Sequence, residues 1–340
     1  MRISVIGGGG WGLALAKLLA ENLHEVSVWE FNPVHLKELQ ANRSNPALLK
    51  EVVLPESIRF TGSFGEIAAS VPEMVVLATP SQFLRSTLRA INKELSADFW
   101  ESTELKAIVN VAKGIELGSL KTLDQVLFEE LPVCAHDKIC VLSGPSHAEE
   151  VARRVPTTVV IAGNNQELLI RLQQVFSNSY FRAYRSSDMV GVEIGGAVKN
   201  IISIAAGIVS GLGFGDNTMG ALLTRGIVEI SRLGTRLNAK PETFLGLSGI
   251  GDLITTATSL HSRNRYVGYH IGKGKKLSEI EAEMDMVAEG VATTRSVYHL
   301  AQSLGVDMPI TQQVYRVLYE DEEPLVAMEN LMLRELKAEF

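Results

Sequence analysis

The sequence predicts two domains: a doubly wound α/β domain with a mainly parallel sheet over residues 1–186, and an all-α domain over residues 187–340. Three observations carry this prediction. Strand-like and helix-like segments alternate through the first half, a glycine-rich turn joins the first strand to the first helix, and the second half has helical patterns without comparable β-runs. A length of 340 residues fits two domains of about 100–200 residues each.

The first half alternates short β-branched runs with apolar segments of helical period. The predicted strands are residues 3–6, 26–29, 58–61, 74–78, 107–111, 139–142 and 158–161. Helices are predicted between them, for example over residues 11–22 and 33–41. Strands that alternate with helices indicate a parallel sheet covered on both faces.

From about Asp188 onward, almost every segment has a helical pattern. The predicted helices are residues 190–209, 219–237, 277–285, 293–304 and 310–319. The segment after Pro324 is either a terminal helix or a partly frayed tail. This change of character predicts a domain boundary near residues 182–190.

Composition excludes several classes of function. Hydrophobic residues make up 46% and charged residues 21%, as in an ordinary globular protein. A formal net charge of −7 argues against general affinity for nucleic acid or anionic membranes. The two cysteines match no metal or redox motif, and no metal is expected. The apolar run 201–214 is interrupted by small residues and is shorter than the ~20 residues of a membrane span, so we expect a buried helix in a soluble, cytoplasmic protein.

The glycine-rich turn is the first motif with a chemical meaning. Residues 7–12, GGGGWG, fit G-x-G-x-x-G between a predicted strand and a predicted helix. Gly7 would allow the tight turn, Gly9 the approach of a pyrophosphate, and Gly12 close helix–strand packing. This context favours a Rossmann-type dinucleotide site over a flexible turn.

Glu30 follows the second predicted strand, ~20 residues after the glycines, where an acidic side chain typically binds the adenosine ribose. It would repel the 2′-phosphate of NADP(H), and the next residues, Phe31 and Asn32, supply no cation. The pattern favours NAD(H), with NADP(H) as the alternative. A solvated strand-end charge is nearly as good an interpretation.

Two polar segments follow predicted strands, where the ligand crevice of an open α/β sheet lies. Lys113 could meet an anionic substrate there, although taken alone a surface lysine in a turn is the simpler interpretation. Gly144 and Ser146 could hold a polar substrate, with Pro145 at the first helical position, and an ordinary strand–helix junction is equally compatible.

Lys199 lies inside the strongly apolar segment GGAVKNIISIAAG. Burial of a lysine is costly unless it is paired or functional, and desolvation moves its pKa towards the range useful for proton transfer. These points favour a catalytic lysine over one that extends its ammonium from the helix end to solvent.

A second group of polar residues lies further along the chain. Asp252 stands between glycines and an apolar run, where it could bind a substrate hydroxyl or a lysine. Ser262, Arg263 and Asn264 offer a set of donors for phosphate. An N-cap and a solvated basic loop explain these residues equally well. His261 is interpreted as solvated.

Taken together, these residues closely resemble the bacterial NAD(P)-dependent glycerol-3-phosphate dehydrogenase family, nearly from end to end. Ten blocks in the same order carry the resemblance: GGGGWG (7–12), VAKGIE (111–116), SGPSHA (143–148), GGAVKN (195–200), GFGDN (213–217), LLTRG (222–226), LSGIGDL (247–253), SRNR (262–265), VAEG (287–290) and MPIT (308–311).

The resemblance implies a role for each matching position. Lys199 would be the proton donor and acceptor, Lys113 would stabilise negative charge on the reacting oxygen, and Asp252 would orient Lys199 or a hydroxyl. The implied substrate residues are Lys113, Gly144, Ser146, Lys199, Asp252, Ser262, Arg263 and Asn264. The implied cofactor residues, together with the glycine turn, are Gly10, Trp11, Lys113, Ala148, Arg263, Val287 and Glu289. Glu30 and Phe31 join the expected cofactor residues from their place after the second strand.

The resemblance also implies dihydroxyacetone phosphate and sn-glycerol 3-phosphate as substrates, and supply of glycerol phosphate for phospholipids. This chain departs from many members at Phe31, where they carry Arg or His, and at Glu30, where they carry an uncharged residue. Two alternatives remain: another two-domain hydroxyacid or hydroxyacyl dehydrogenase, and a non-catalytic dinucleotide sensor. The apolar helical domain is compatible with a homodimer.

Overall fold

The computed structural model describes residues 1–284, 288–336 and 338–339. An N-terminal Rossmann-type domain of strands and helices is followed by a helical domain, which confirms the predicted fold class. Within the described residues the last strand ends at Ser186 and the long helix after it begins at Met189. The exact division at residue 186 stays a prediction.

One sheet of eight strands forms the N-terminal domain, in the order β3-β2-β1-β4-β5-β6-β7-β8. The strands are β1 (Arg2–Ile6), β2 (Glu25–Trp29), β3 (Arg59–Thr61), β4 (Met74–Leu77), β5 (Ala107–Asn110), β6 (Ile139–Ser143), β7 (Thr157–Gly163) and β8 (Phe181–Ser186). Neighbouring strands are parallel except β6 and β7, which are antiparallel.

The helices cover both faces of the sheet and form the second domain. In chain order they are α1 (Gly10–Glu21), α2 (Pro33–Asn42), α3 (Phe64–Ala69), α4 (Leu84–Glu94), α5 (Asp98–Glu101), α6 (Leu123–Glu130), α7 (Ala148–Ala152), α8 (Gln166–Phe176), α9 (Met189–Gly211), α10 (Asp216–Arg236), α11 (Pro241–Phe244), α12 (Asp252–Thr258), α13 (Arg263–Gly272), α14 (Leu277–Ala282), α15 (Glu289–Leu304), α16 (Pro309–Tyr319) and α17 (Pro324–Met332). Two short 3₁₀ segments, Ser81–Phe83 and Val133–Lys138, and one π-helical turn, Leu247–Gly251, complete the list.

The strand order reverses at β1, which pairs with β2 on one side and with β4 on the other. At the centre of this pairing, Val5 lies between Val28 and Val76. Ligands of open α/β sheets bind where the order reverses, at the carboxyl ends of the strands. The residues that follow β1 and β4 are therefore the expected walls of a site.

The central strands carry apolar side chains on both faces of the sheet. Successive side chains point to opposite faces, so alternate residues of a strand belong to two different cores. In β4, Met74 and Val76 belong to the core that α1 and α8 share, whereas Val75 and Leu77 belong to the core under α4 and α6. A strand buried on both faces is a continuous apolar run, which is why the sequence could identify β4 and its neighbours.

The predicted elements agree with the structure apart from their ends. The predicted helices 219–237 and 293–304 start earlier, at Asp216 and Glu289. The predicted helix 277–285 corresponds to α14, which ends at Ala282, and residue 285 lies outside the described residues. The strand β8 was not predicted, because Arg182 and Arg185 on its exposed positions leave few apolar residues in the segment.

Helix α9 organises the second domain. By length and composition it could cross a membrane, but all of its apolar window is buried within the fold. Its start is capped by the side chain of Asp188, which accepts hydrogen bonds from the backbone of Gly191 (3.0 Å) and of Lys240 (2.9 Å). Around α9 lies the third apolar core, formed by α10, α12, α13, α15 and α16.

Helices α9 and α13 cross at very short range because glycines line both surfaces. A β-carbon at Gly268 would lie 1.9 Å from the carbonyl oxygen of Ile204, and one at Gly207 would lie 2.2 Å from that of Arg265. These neighbours are backbone atoms of packed helices, which cannot move as a flexible side chain can. The crossing places the start of α13, next to Ser262, beside α9.

We predict that Gly268→Ala lowers the free energy of unfolding by about 1–3 kcal/mol, the usual cost of overpacking a core. Chemical denaturation would measure this. The matched control is Gly220→Ala on α10, where a β-carbon meets nothing within 4 Å. That variant should be neutral or more stable by about 0.5–1 kcal/mol, since alanine favours a helix interior over glycine. Equal effects of the two substitutions would contradict the crossing argument.

Candidate active site

A cleft of about 420 Å³ opens where the sheet order reverses, between the Rossmann-type domain and the helical domain. Its walls come from the turns after β1, β2, β4, β5 and β6, and from α9, α12, α13 and the start of α15. Distant parts of the sequence therefore meet at one site, and their geometry decides what chemistry the site can perform.

The glycine turn forms one wall of the cleft. Gly7 has φ +117°, and a β-carbon there would lie 2.7 Å from the carbonyl oxygen of Ala78. A β-carbon on Gly12 would lie 2.0 Å from the carbonyl oxygen of Gly7, so the helix packs directly on the strand end. Gly9, by contrast, has nothing within 4 Å of its β-carbon position. Backbone and helix N-terminus are thus open to a bound group at this point.

The start of α1 suits an anionic ligand. Its N-cap is Gly9, and no side chain caps the helix. The first backbone amides of the helix therefore offer donors and a positive partial charge to a phosphate group. The residues present fit a dinucleotide pyrophosphate.

Glu30 lies directly after β2 and is 8% exposed. Its Oε1 accepts a hydrogen bond from the backbone of Asn32 (2.8 Å) and lies 3.9 Å from Nδ1 of His35. The carboxylate lies against the glycine turn, because a β-carbon on Gly8 would be 2.4 Å from Oε2. Phe31 is 81% exposed at the edge of the cleft.

One buried carboxylate joins the two lysines that the sequence singled out. Oδ2 of Asp252 accepts a hydrogen bond from Nζ of Lys113 (2.8 Å), and Oδ1 accepts one from Nζ of Lys199. Nζ of Lys199 also donates to Oγ1 of Thr256 (2.6 Å). Asp252 is 1% exposed and Lys199 is 5% exposed, so this pairing is shielded from water.

Burial and neighbouring charges set the protonation of Lys199 and Asp252. Burial lowers the pKa of Lys199. The carboxylate of Asp252 raises this pKa in part, the charge of Lys113 lowers it again, and the resulting pKa is about 8. Burial raises the pKa of Asp252, but the two lysines outweigh it and hold that pKa below its usual value. An ionised carboxylate thus lies beside a lysine that can exchange a proton near neutral pH.

Gly144 and Ser146 follow β6 and support Lys113. The carbonyl oxygen of Gly144 accepts hydrogen bonds from Nζ of Lys113 (3.1 Å) and from Oγ of Ser146 (2.8 Å). Gly144 has φ +132°, a conformation that glycine adopts without strain. The prediction that Pro145 begins a helix was wrong: α7 begins at Ala148, because the chain first turns into the cleft.

Residues 262–264 enclose the cleft from the helical domain. Oγ of Ser262 caps α13 by accepting from the backbone of Arg265 (3.2 Å). Oδ1 of Asn264 accepts from the backbone of Gly290 (2.9 Å), which ties α13 to α15. Arg263 is exposed and lines the cleft. The N-cap interpretation is thus correct for Ser262.

Glu289 lines the cleft at the start of α15. Its Oε1 accepts a hydrogen bond from the backbone of Ser81 (3.0 Å). Burial raises the pKa of Glu289, and the Ser81 amide and the charge of Arg263 lower it in part. Val287, named beside it from the resemblance, lies outside the described residues.

Known proteins support a specific assignment. A family model described as the NAD-dependent glycerol-3-phosphate dehydrogenase N-terminus matches residues 2–169, and its C-terminal counterpart matches residues 188–329. The chain belongs to this family. A glycerol-3-phosphate dehydrogenase (NAD(P)+) of Chlorobium luteolum is 49% identical over 339 residues, covering 100% of this chain and 99% of the relative.

Other members of the glycerol-3-phosphate dehydrogenase family agree with this match. The enzyme of that name from Enterococcus faecalis is 44% identical over 338 residues, covering 99% of this chain and 97% of its own. The crystal structure of glycerol-3-phosphate dehydrogenase from Coxiella burnetii superimposes with a TM-score of 0.90 at 34% identity, covering 98% of this chain and 99% of that one.

Most of the predicted site residues of this family member line one cleft: Gly7, Gly9, Gly10, Trp11, Glu30, Phe31, Lys113, Ser146, Ala148, Lys199, Ser262, Arg263, Asn264 and Glu289. Three predicted residues lie behind that surface and contact residues that line it. Gly12 packs on Gly7, Gly144 accepts a hydrogen bond from Lys113, and Asp252 pairs with Lys113 and Lys199.

Sequence reasoning missed several residues of the cleft, among them three that bear on its polar groups. Thr256 lies one helical turn after Asp252, so a search at i+4 would have found it. His147 is the N-cap residue of α7, and burial together with the charge of Lys199 lowers its pKa. His35, in the first turn of α2, gave no sequence signal, because its relation to Glu30 depends on the turn between them.

Proposed function

We propose that this protein interconverts dihydroxyacetone phosphate and sn-glycerol 3-phosphate with a nicotinamide dinucleotide, preferring NAD(H). The observation that carries this proposal is the buried Lys113–Asp252–Lys199 group beside the open glycine turn, in a chain of the glycerol-3-phosphate dehydrogenase family. A proton donor of suitable pKa and a dinucleotide cradle in one cleft are what reduction of a ketone requires.

The residues that would hold the dinucleotide follow from the walls of the cleft. The glycine turn and the start of α1 would bind the pyrophosphate, and Glu30 would accept hydrogen bonds from the adenosine ribose. The remaining cofactor contacts that we propose are Gly10, Trp11, Phe31, Lys113, Ala148, Arg263, Val287 and Glu289. When bound, the nicotinamide supplies the hydride that reduces the carbonyl carbon.

Lys199 is the proposed proton donor. An ammonium group has three hydrogens, and hydrogen bonds to Asp252 and Thr256 account for two of them. The third is available to the carbonyl oxygen of dihydroxyacetone phosphate, because Lys199 lines the cleft. Nζ gives this proton to the oxygen as it becomes an alkoxide, and takes it back when glycerol 3-phosphate is oxidised.

The other residues bind the substrate and orient Lys199. Lys113 would stabilise negative charge on the reacting oxygen, and Arg263 would hold the phosphate, supported by Ser262 and Asn264. Asp252 would fix both lysines through its two oxygens, whereas Gly144 and Ser146 would shape the wall that faces the substrate.

Several further points stay predictions. We propose the domain limits 1–186 and 187–340, a cytoplasmic location, a role in supplying glycerol phosphate for phospholipids, and a homodimer. That the reaction needs no metal is likewise a prediction.

The first prediction concerns substrate and cofactor. Purified protein should oxidise NADH when dihydroxyacetone phosphate is added, followed by loss of nicotinamide absorbance, and should oxidise NADPH more slowly at pH 8 because Glu30 repels its 2′-phosphate. The double variant Glu30→Ser, Phe31→Arg removes that repulsion and adds a cation, and should shift the kcat/KM ratio towards NADPH at least ~10-fold. A wild-type preference for NADPH would refute the role of Glu30. No oxidation by folded protein would refute the reaction.

The second prediction concerns Lys199. Lys199→Met should lower kcat by about two orders of magnitude or more, the scale of a lost general acid, with NADH binding retained. Lys138→Met is the matched control: burial also lowers the pKa of Lys138, but that lysine bonds the backbone of Trp100 and Ser102, away from the cleft. Near-normal turnover of folded Lys199→Met would remove the assignment.

The third prediction is a pH dependence of opposite sign in the two directions. Reduction needs protonated Lys199, so kcat/KM for dihydroxyacetone phosphate should fall as the pH rises through about 8. Oxidation needs the neutral amine, so kcat/KM for glycerol 3-phosphate should rise through the same range. Initial rates in both directions measure this, with Lys199→Met as the control. If kcat/KM of Lys199→Met still changed with pH through this range in either direction, that pH dependence would belong to another group.

A further inference from the structure

His35 lies at the adenosine end of the cleft, and the proposed mechanism gives it no role. It belongs to the first turn of α2, and its backbone amide approaches the capping oxygen of Asn32 (3.4 Å). Its side chain lines the cleft and is 32% exposed. A ligand in the cleft can therefore reach the imidazole without a rearrangement of the core.

The group that faces His35 is the carboxylate on which the NADH preference rests. Nδ1 of His35 lies 3.9 Å from Oε1 of Glu30, which is within the range of an ion pair when the imidazole is protonated. The carboxylate is nearly buried and accepts a hydrogen bond from the Asn32 amide, which holds it beside the histidine. The net charge of the pair therefore depends on whether His35 is protonated.

Other charged groups near His35 are few. On α2 itself its neighbours in sequence are Lys37 and Glu38, of opposite charge. Helix α2 packs chiefly on β3, whose one charged residue is Arg59, at an exposed position. Among the described residues that line the cleft, the two lysines pair with Asp252, and the other titratable side chains are His147, Glu149, His261, Arg263 and Glu289. His35 is the titratable group within ion-pair range of Glu30.

We propose that His35 is a second determinant of dinucleotide choice: its protonated imidazole offsets the charge of Glu30 and attracts the 2′-phosphate of NADPH, so that the preference for NADH weakens as the pH falls. Histidine is the side chain type that gains or loses its charge within the physiological pH range. The inference rests on the dinucleotide site of the proposed function, and it adds a condition under which that site accepts the other cofactor.

Binding measurements test this without turnover. Dissociation constants of NADH and NADPH would be measured by the fluorescence of the reduced nicotinamide at about pH 6 and pH 8, with the wild type and His35→Gln. As the pH falls from 8 to 6, the ratio of the NADPH Kd to the NADH Kd should fall about two- to fivefold in the wild type, the scale of one partly exposed charge pair. Affinity for NADH should change little.

The His35→Gln variant distinguishes the effect of the imidazole from the effect of protonation of the 2′-phosphate of NADPH. The 2′-phosphate takes up a proton near pH ~6, which also weakens its repulsion by Glu30. That contribution remains in His35→Gln, so only the difference between the two proteins belongs to the imidazole. His24→Gln is the matched control, a histidine away from the cleft whose partner is the N-terminal amine, and it should behave as the wild type.

A Kd ratio that changes equally in the wild type and in His35→Gln would overturn the inference. Loss of the pH effect in His24→Gln would also overturn it, since the change would then be global. The dehydrogenase assay distinguishes the two proposals: if dihydroxyacetone phosphate is not reduced but the Kd ratio still depends on His35, the reaction fails and the cofactor inference stands.

Discussion

The site depends on one buried carboxylate that holds two lysines from different domains. Asp252 lies on α12 of the helical domain, Lys199 on α9, and Lys113 on the turn after β5 of the Rossmann-type domain. Lys199 and Asp252 are buried and Lys113 is half-buried, and burial of an unpaired charge is costly. The ionised carboxylate accepts a hydrogen bond from each ammonium group, so without Asp252 the buried Lys199 would lack its anionic partner. These contacts join the two domains at the cleft, and together with burial they leave the pKa of Lys199 at about 8.

The surrounding fold makes that arrangement rigid. Helix α9 is buried along its length and presents Lys199 at a fixed place, while the glycine crossing with α13 brings residues 262–264 to the same side. On the other side, the reversal of strand order at β1 opens the cleft beside the glycine turn. Where α9 crosses α13, backbone packs directly on backbone, which leaves these two helices little room to slide along each other.

Local patterns were sufficient for most of the fold. The central strands are apolar on both faces and lie between helical segments, and this signal does not depend on the rest of the molecule. Strand β8 is different, because its edge position exposes Arg182 and Arg185 and hides the apolar alternation. The start of α7 was also misjudged, since Pro145 is compatible with a helix start, yet the chain enters the cleft before the helix begins.

The sequence alone favoured a functional role for Lys199, because a lysine in an apolar helix is unusual and needs a reason. For Lys113 and Asp252 the residues left a structural interpretation open, and the resemblance to the family supplied their expected roles. The sequence could not tell which groups meet. Packing between segments far apart in the chain decides that Asp252 accepts hydrogen bonds from both lysines and that Thr256 accepts one from Lys199. The turn between β2 and α2 decides that His35 faces Glu30. Local propensity carries no information on such contacts, whereas the pKa of a buried group depends on them almost entirely.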